Sequence, residues 1–241
     1  MLTRAGLIAV IAAFALAVSA PLGKAMASWP EAKLRATESF AAGASLAYVI
    51  VDLMIELTGE GVAHVHATLP ITSSSERSLF TVVLIGATWW YMVGALAAKK
   101  GQPSGRYWAY VVPQGIYCVL VGGALALEAK YGTWPVVLFV LPIFLHLTVI
   151  ESHMQHDFGE QHVGLRRAAL AMSPGLGAVA WAVLGFSHSI LFTALALVAG
   201  STVVQIIQTE LPSPSVVRVG PFLGGVVSYS LLVGVRWASA V

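Results

Sequence analysis

An all-α bundle of about eight membrane-spanning helices is the fold this sequence predicts, and three observations predict it. Of 241 residues, 58% are hydrophobic and only 10% are charged. A soluble domain carries roughly 25% charged residues, so this chain cannot cover a water-facing surface. The mean hydropathy is +0.83. The apolar residues also fall into runs near the ~20 residues that a helix needs to cross a ~30 Å hydrocarbon core. Helices rather than open strands follow, because lipid offers backbone groups no partner, and the alternation of a membrane β-barrel is absent.

The spans are legible in order. Span 1 covers about 5–23, span 2 39–57 and span 3 78–98. Span 4 covers 107–127 and span 5 131–150. Span 6 covers 168–187, span 7 189–207 and span 8 219–235. Thr72–Ser78 and Lys99–Arg106 read as breaks because Ser, Gly and Pro concentrate there. The 6–7 connection near Phe186–Ser189 is very short. The first 27 residues also carry the marks of a signal peptide: Arg4, an apolar run and Ala25-Met26-Ala27. Charge decides between the two readings. Cations accumulate in cytoplasmic loops. With both ends outside, Lys24, Lys33, Arg35, Lys99, Lys100, Arg106, Arg166, Arg167 and Arg218 lie inside, against Arg4, Arg77, Lys130 and Arg236 outside. A cleaved leader reverses this, so span 1 is expected to stay as a helix. A multi-pass membrane protein follows, with the lipid bilayer as its first partner. The scattered cations exclude a nucleic-acid partner. The lone Cys118 forms no internal disulfide.

Charged groups within a span cost about 2.5–3.5 kcal/mol each by insertion scales, so those present need a reason. Asp52 and Glu56 in span 2 are four apart and share a face. Two carboxylates there repel unless a proton or cation lies between them, unless Glu56 only snorkels to water. In span 5, His146 is deep in the apolar run. His153 is seven residues on, about 10 Å along the axis, so the two suit successive stations on a path. The pairs His153/Asp157 and His156/Glu160 have chelating i,i+4 spacing, although a helix end solvated by water, with His162 beyond it, fits as well. Gln205, Gln208 and Glu210 in span 7 and Gln114 in span 4 can line the same pathway or bond across helices. Pro113 frees a carbonyl near Ala109. The many glycines, Gly86, Gly122, Gly177 and Gly225 among them, suit close helix packing. His64 and His66 read as an outer loop beside Glu60.

The run Ala41–Leu57, which opens on Ala-Gly and closes on Asp52-Leu-Met-Ile-Glu56-Leu57, resembles the second helix of ZIP metal transporters. There a similar run ends in a pattern like His-Leu-Leu-Pro-Glu. Val198-Ala-Gly-Ser through Thr209-Glu210-Leu-Pro212 resembles the family's seventh helix. Eight spans with both ends outside is also that family's topology. The departures are specific: span 4 lacks the family's His-Asn-x-x-Asp, and of the fifth-helix His-Glu-x-Pro-His-Glu only His146 and Glu151 remain. The chain looks closer to divergent bacterial ZIP-like proteins, which implies a bacterial plasma membrane. The resemblance implies a 3+2+3 inverted-repeat bundle that transports a divalent metal (zinc, iron or manganese) as substrate. His146, Glu151, His153, Asp52 and Glu56 are then its metal ligands, and Gln205, Gln208, Glu210 and Gln114 line its path. It implies no prosthetic group and no enzymatic activity, and it is compatible with a homodimer. The alternatives are a non-transporting sensor or scaffold of the same fold, and an intramembrane zinc-dependent hydrolase. The hydrolase needs three convergent ligands and an open position.

Overall fold

The computed structural model describes residues 3–99, 102–210 and 217–238, apart from the side chains of Pro103, Glu210 and Trp237. The described residues contain helices and no strand. Eight helices are long and apolar enough to cross a membrane: Arg4–Met26, Glu31–Thr68, Ser75–Lys99, Ser104–Tyr131, Thr133–Phe158, Gly164–Leu184, His188–Thr209 and Val219–Arg236. We refer to them as spans 1 to 8. Alternate crossing leaves span 1 starting and span 8 ending on one side, here the terminal face. The opposite, basic face carries Lys24, Lys33, Arg35, Arg106, Arg166, Arg167 and Arg218.

The breaks have local causes. Gly132, at φ 121°, separates spans 4 and 5, a conformation that glycine adopts without steric cost. Gly185, left-handed at φ 65°, ends span 6. Two residues later the Ser187 side chain accepts from the Ile190 N–H and starts span 7. Several expected boundaries shift. Span 2 continues to Thr68 rather than stopping at 57, so His64 and His66 lie on helix and not in a loop. At 1.5 Å per residue its 38 residues reach about 57 Å, well beyond the hydrocarbon core. Span 4 continues past Leu127 to Tyr131 and carries Glu128 into the bundle.

Glycine sets the helix pairing. A Cβ on Gly43 of span 2 would overlap the Phe222 carbonyl of span 8, and one on Gly225 would overlap the Phe40 carbonyl. Gly200 of span 7 stands against the Val83 carbonyl of span 3, and Gly86 against the Leu197 carbonyl. Gly122 of span 4 stands against the Pro174 carbonyl of span 6, and Gly177 against the Val119 carbonyl. In all three pairs each glycine faces the carbonyl three residues before the partner glycine. The paired spans are separated by an even number of crossings, so they run parallel. Close backbone approach through small residues is how helices associate in lipid, where apolar side chains gain nothing by leaving their solvent. Spans 1 and 5 repeat half of the device. A Cβ on Gly23 would lie 2.6 Å from the Thr148 carbonyl, but Glu151 stands at the position of the second glycine.

Spans 2 and 7 depart from regular α geometry. Span 2 is π-helical over Tyr48–Leu53 and again over Leu57–Gly61, and span 7 over Ile206–Glu210. Such widened turns concentrate at functional sites, and these lie where the polar residues of the two spans sit. Leu84, Leu96, Leu176 and Val183 are among the apolar side chains left exposed, as a lipid-facing surface requires.

Candidate functional site

Span 2 carries a ladder of polar rungs at intervals of four: Asp52, Glu56, Glu60 and His64. In a regular α-helix each step of four overshoots a full turn by about 40°, so such a ladder drifts around the axis. The wider π turns wind it back, which keeps the carboxylates on one side. They line a cavity of about 290 Å³ near the terminal face, together with Glu128, Tyr131 and Arg236. Asp52 Oδ2 accepts a hydrogen bond from the Tyr229 hydroxyl (3.0 Å), and its Oδ1 lies 3.8 Å from Arg236 Nη1. Glu60 accepts from the Tyr131 hydroxyl at 2.6 Å. Glu56 hydrogen-bonds to Glu128 of span 4, so span 2 and span 4 meet through two carboxyl groups. Such a contact needs a proton or a cation between them. Glu128 is 5% exposed and lies one residue beyond the 107–127 run that hydropathy marks. The signal was present, since the first helix breaker after it is Gly132.

Below this cavity lies a packed aromatic layer. Tyr48 meets both Phe139 and Tyr229 edge-on, with ring centroids 5.8 Å apart in each case. All three rings are buried. The Tyr48 hydroxyl has no hydrogen-bond partner among the described residues, and neither has the nearby Ser45 hydroxyl.

Deeper still, at the middle of span 5, His146 Nε2 lies 3.2 Å from Gln205 Oε1 of span 7. Both side chains are fully buried. The Tyr117 ring stands edge-on to His146 at 5.9 Å, and its hydroxyl bonds Thr202 Oγ1 at 2.8 Å. The Gln205 amide nitrogen lacks a partner among the described residues. His146 and Gln205 thus meet across spans 5 and 7, an arrangement that a polar path and a bond between helices share.

Toward the basic face, His153 Nε2 lies 3.1 Å from Glu38 Oε1 of span 2. His153 borders two cavities. One, of about 430 Å³, also meets Arg106, Asp157, Gln208 and Thr209. The other, of about 370 Å³, also meets Glu31, Arg35, Glu38 and His156. His153 and Gln208 thus share a cavity. His153 Nε2 turns to Glu38, and His156 Nδ1 bonds its neighbour Asp157 at 3.1 Å. The side chain of Glu210 lies outside the described residues.

Glu151 and Gln114 stand apart from this line. Glu151 Oε1 accepts from Arg167 Nε at 2.6 Å, and its Oε2 lies 2.9 Å from His162 Nε2. His162 Nδ1 in turn meets the Tyr107 hydroxyl at 3.3 Å, and Arg167 also bonds the Ala20 carbonyl. The sequence pattern places His162 at a solvated helix end. It is fully buried, because Glu151 gives its imidazole a partner inside. Gln114 faces a pocket of about 20 Å³ shared with Ser19, Cys118 and Glu151, and its Oε1 has no hydrogen-bond partner among the described residues. The Arg167–Glu151–His162–Tyr107 chain ties together spans 1, 4, 5 and 6, and both carboxylate oxygens of Glu151 are committed to it. Arg167→Leu leaves the buried Glu151 carboxylate with His162 alone, and is therefore expected to destabilise the protein by about 3 kcal/mol, the low end of the cost of breaking a buried pair. Glu151→Gln/Arg167→Leu is expected to recover most of that loss. Thermal unfolding in detergent measures both, and equal losses in the single and double variants would contradict the pairing.

Among the described residues, no three His, Cys, Asp or Glu side chains stand in a geometry that could hold a metal ion. No protein-family model matches the chain, and no curated protein matches it.

Proposed function

We propose that this chain is a divergent ZIP-like transporter of divalent metal cations, with zinc, iron or manganese as its substrate. The observation that carries the reading is a line of polar stations through an apolar bundle. The acidic cavity holds Asp52, Glu56, Glu60 and Glu128. His146–Gln205 lies at the centre, and His153–Glu38 lies beside two cavities at the basic face. Mixed carboxylate and imidazole donors suit the borderline divalent ions. The carboxylates draw the cation in, and Glu56 and Glu128 close on it from two spans. The aromatic layer of Tyr48, Phe139 and Tyr229 then has to part before the ion reaches His146. Stations that each offer few ligands favour passage over retention.

The helix pairing supports the repeat that such a transporter uses. Mapping spans 1–3 onto 6–8 and span 4 onto span 5 turns the 2–8 notch into the 7–3 notch, and the 4–6 notch into the half-notch of 5 and 1. Two repeats that swing against each other about a shared site give alternating access. The widened turns of spans 2 and 7 fall in corresponding repeat positions.

The missing His-Asn-x-x-Asp pattern of span 4 favours a second reading, a sensor or scaffold that keeps the fold without moving ions. Uptake of zinc, iron, manganese and cobalt into proteoliposomes separates the two. Accumulation of one of them supports transport, and a folded protein that accumulates none leaves the sensor. The same reading sets both ends outside a bacterial plasma membrane. A tag at either end is expected to react with a periplasmic probe, and one within Lys99–Arg106 is expected to be shielded. The reverse labelling pattern would overturn that orientation.

A further inference from the structure

On the lipid-facing side of the bundle, away from the polar line, a groove of about 470 Å³ runs between spans 4 and 6. Its walls are apolar. Trp108, Val112, Ile116 and Val119 of span 4 form one side, and Ser173 stands opposite on span 6. Gly115 deepens the floor, since a Cβ there would meet only Ser173 Oγ at 4.0 Å. From Trp108 to Leu120 the span 4 wall rises about 18 Å at 1.5 Å per residue. That is close to one leaflet of hydrocarbon, half of the ~30 Å core.

The groove opens at the basic face beside Arg166. This guanidinium lies over the Trp108 ring at 5.5 Å and the Tyr107 ring at 5.9 Å. The two rings hold the positive charge at the mouth of the groove. Among the described residues no carboxylate pairs with Arg166, whereas the adjacent Arg167 is committed to Glu151 and the Ala20 carbonyl. Trp108, half exposed, sits at the level of this charge, where indole rings favour the headgroup region.

We propose that this groove is a binding site for an anionic phospholipid, with one acyl chain along span 4 and the phosphate on Arg166. Charge selects the occupant. A zwitterionic lipid can fill the groove but brings its own cation to the mouth. An anionic headgroup brings only negative charge to a cation that lacks a carboxylate partner, and basic pockets between membrane helices recognise such headgroups. The site is independent of whether the protein moves metal.

Native mass spectrometry of the full chain, with dioleoyl phosphatidylglycerol competing against dioleoyl phosphatidylcholine, tests this directly. Retention of the anionic lipid is expected to exceed that of the zwitterionic one by about tenfold. Arg166→Gln is expected to remove most of that preference, and Arg166→Lys to keep part of it. Arg166 is exposed, so these variants leave the packing intact. Gly115→Leu, which fills the groove floor, is expected to lower retention of both lipids. Equal retention of the two lipids by the wild type would overturn the proposal, as would a preference unchanged in Arg166→Gln. A dimer that Gly115→Leu dissociates, with no lipid retained, would assign the groove to a second copy instead and equally overturn it.

Discussion

Replacing Gly200 by leucine is expected to destabilise the bundle by about 3 kcal/mol or more and to leave little monodisperse protein after extraction. Overpacking a well-filled core costs about 1–3 kcal/mol when neighbouring side chains can yield. Here the first atom met is the backbone carbonyl of Val83, which cannot rotate away. The only relief is for span 3 to withdraw from span 7. That withdrawal also opens the reciprocal notch at Gly86 and breaks the hydrogen bond from Ser201 Oγ to the Gly86 carbonyl. No compensating change at Gly86 can rescue the variant, because the obstacle is main chain. Gly43→Leu is expected to behave the same way, since Gly43 meets the Phe222 carbonyl of span 8. Gly59 supplies the control. It lies in the same helix, but a Cβ there meets nothing within 4 Å. Gly59→Ala should therefore be neutral or stabilising by up to about 1 kcal/mol. Thermal unfolding in detergent reads all three, and a Gly200→Leu protein as stable as Gly59→Ala would refute the notch as the basis of pairing.

Sequence reading reached the fold because apolar length is what a membrane selects for. It singles out Asp52, Glu56, His146 and Gln205 because charge, imidazole and amide groups inside apolar runs are conspicuous. It stopped short where a feature depends on contact across the chain. Gly43 and Gly225 each look like one small residue among many, and their pairing appears only when residues 182 apart are set side by side. Glu128 was passed over because hydropathy falls at Leu127 although the helix does not end until Gly132. Glu151 resembles a ligand in sequence, yet Arg167 and His162 hold both of its oxygens. The π turns at Tyr48–Leu53 leave no trace in composition, since neither glycine nor proline marks them.

The loss of metal accumulation in Asp52→Ala and His146→Ala would test the polar line most severely. Each variant removes a donor from a different station, and the two stations are separated by the aromatic layer of Tyr48, Phe139 and Tyr229. A cation moving between faces has to use both, so each single variant is expected to lower uptake at least tenfold while insertion and extraction remain normal. Glu128→Gln asks a sharper question. It keeps the hydrogen bond to Glu56 but removes one of the two charges that close on the ion, so uptake should fall with little change in stability. Tyr229→Phe grades the effect. It deletes one hydrogen bond to Asp52 and leaves the carboxylate in place, a loss of about 1 kcal/mol; if that loss falls wholly on cation affinity, the apparent affinity drops about fivefold. This ordering, with the carboxylate and imidazole deletions far above the tyrosine variant, belongs to a conduction path. Undiminished uptake in both Asp52→Ala and His146→Ala would remove the line from the transport mechanism. If uptake failed in all variants because the proteins did not fold, their thermal transitions would drop with it, and the tenfold loss at unchanged stability distinguishes the two.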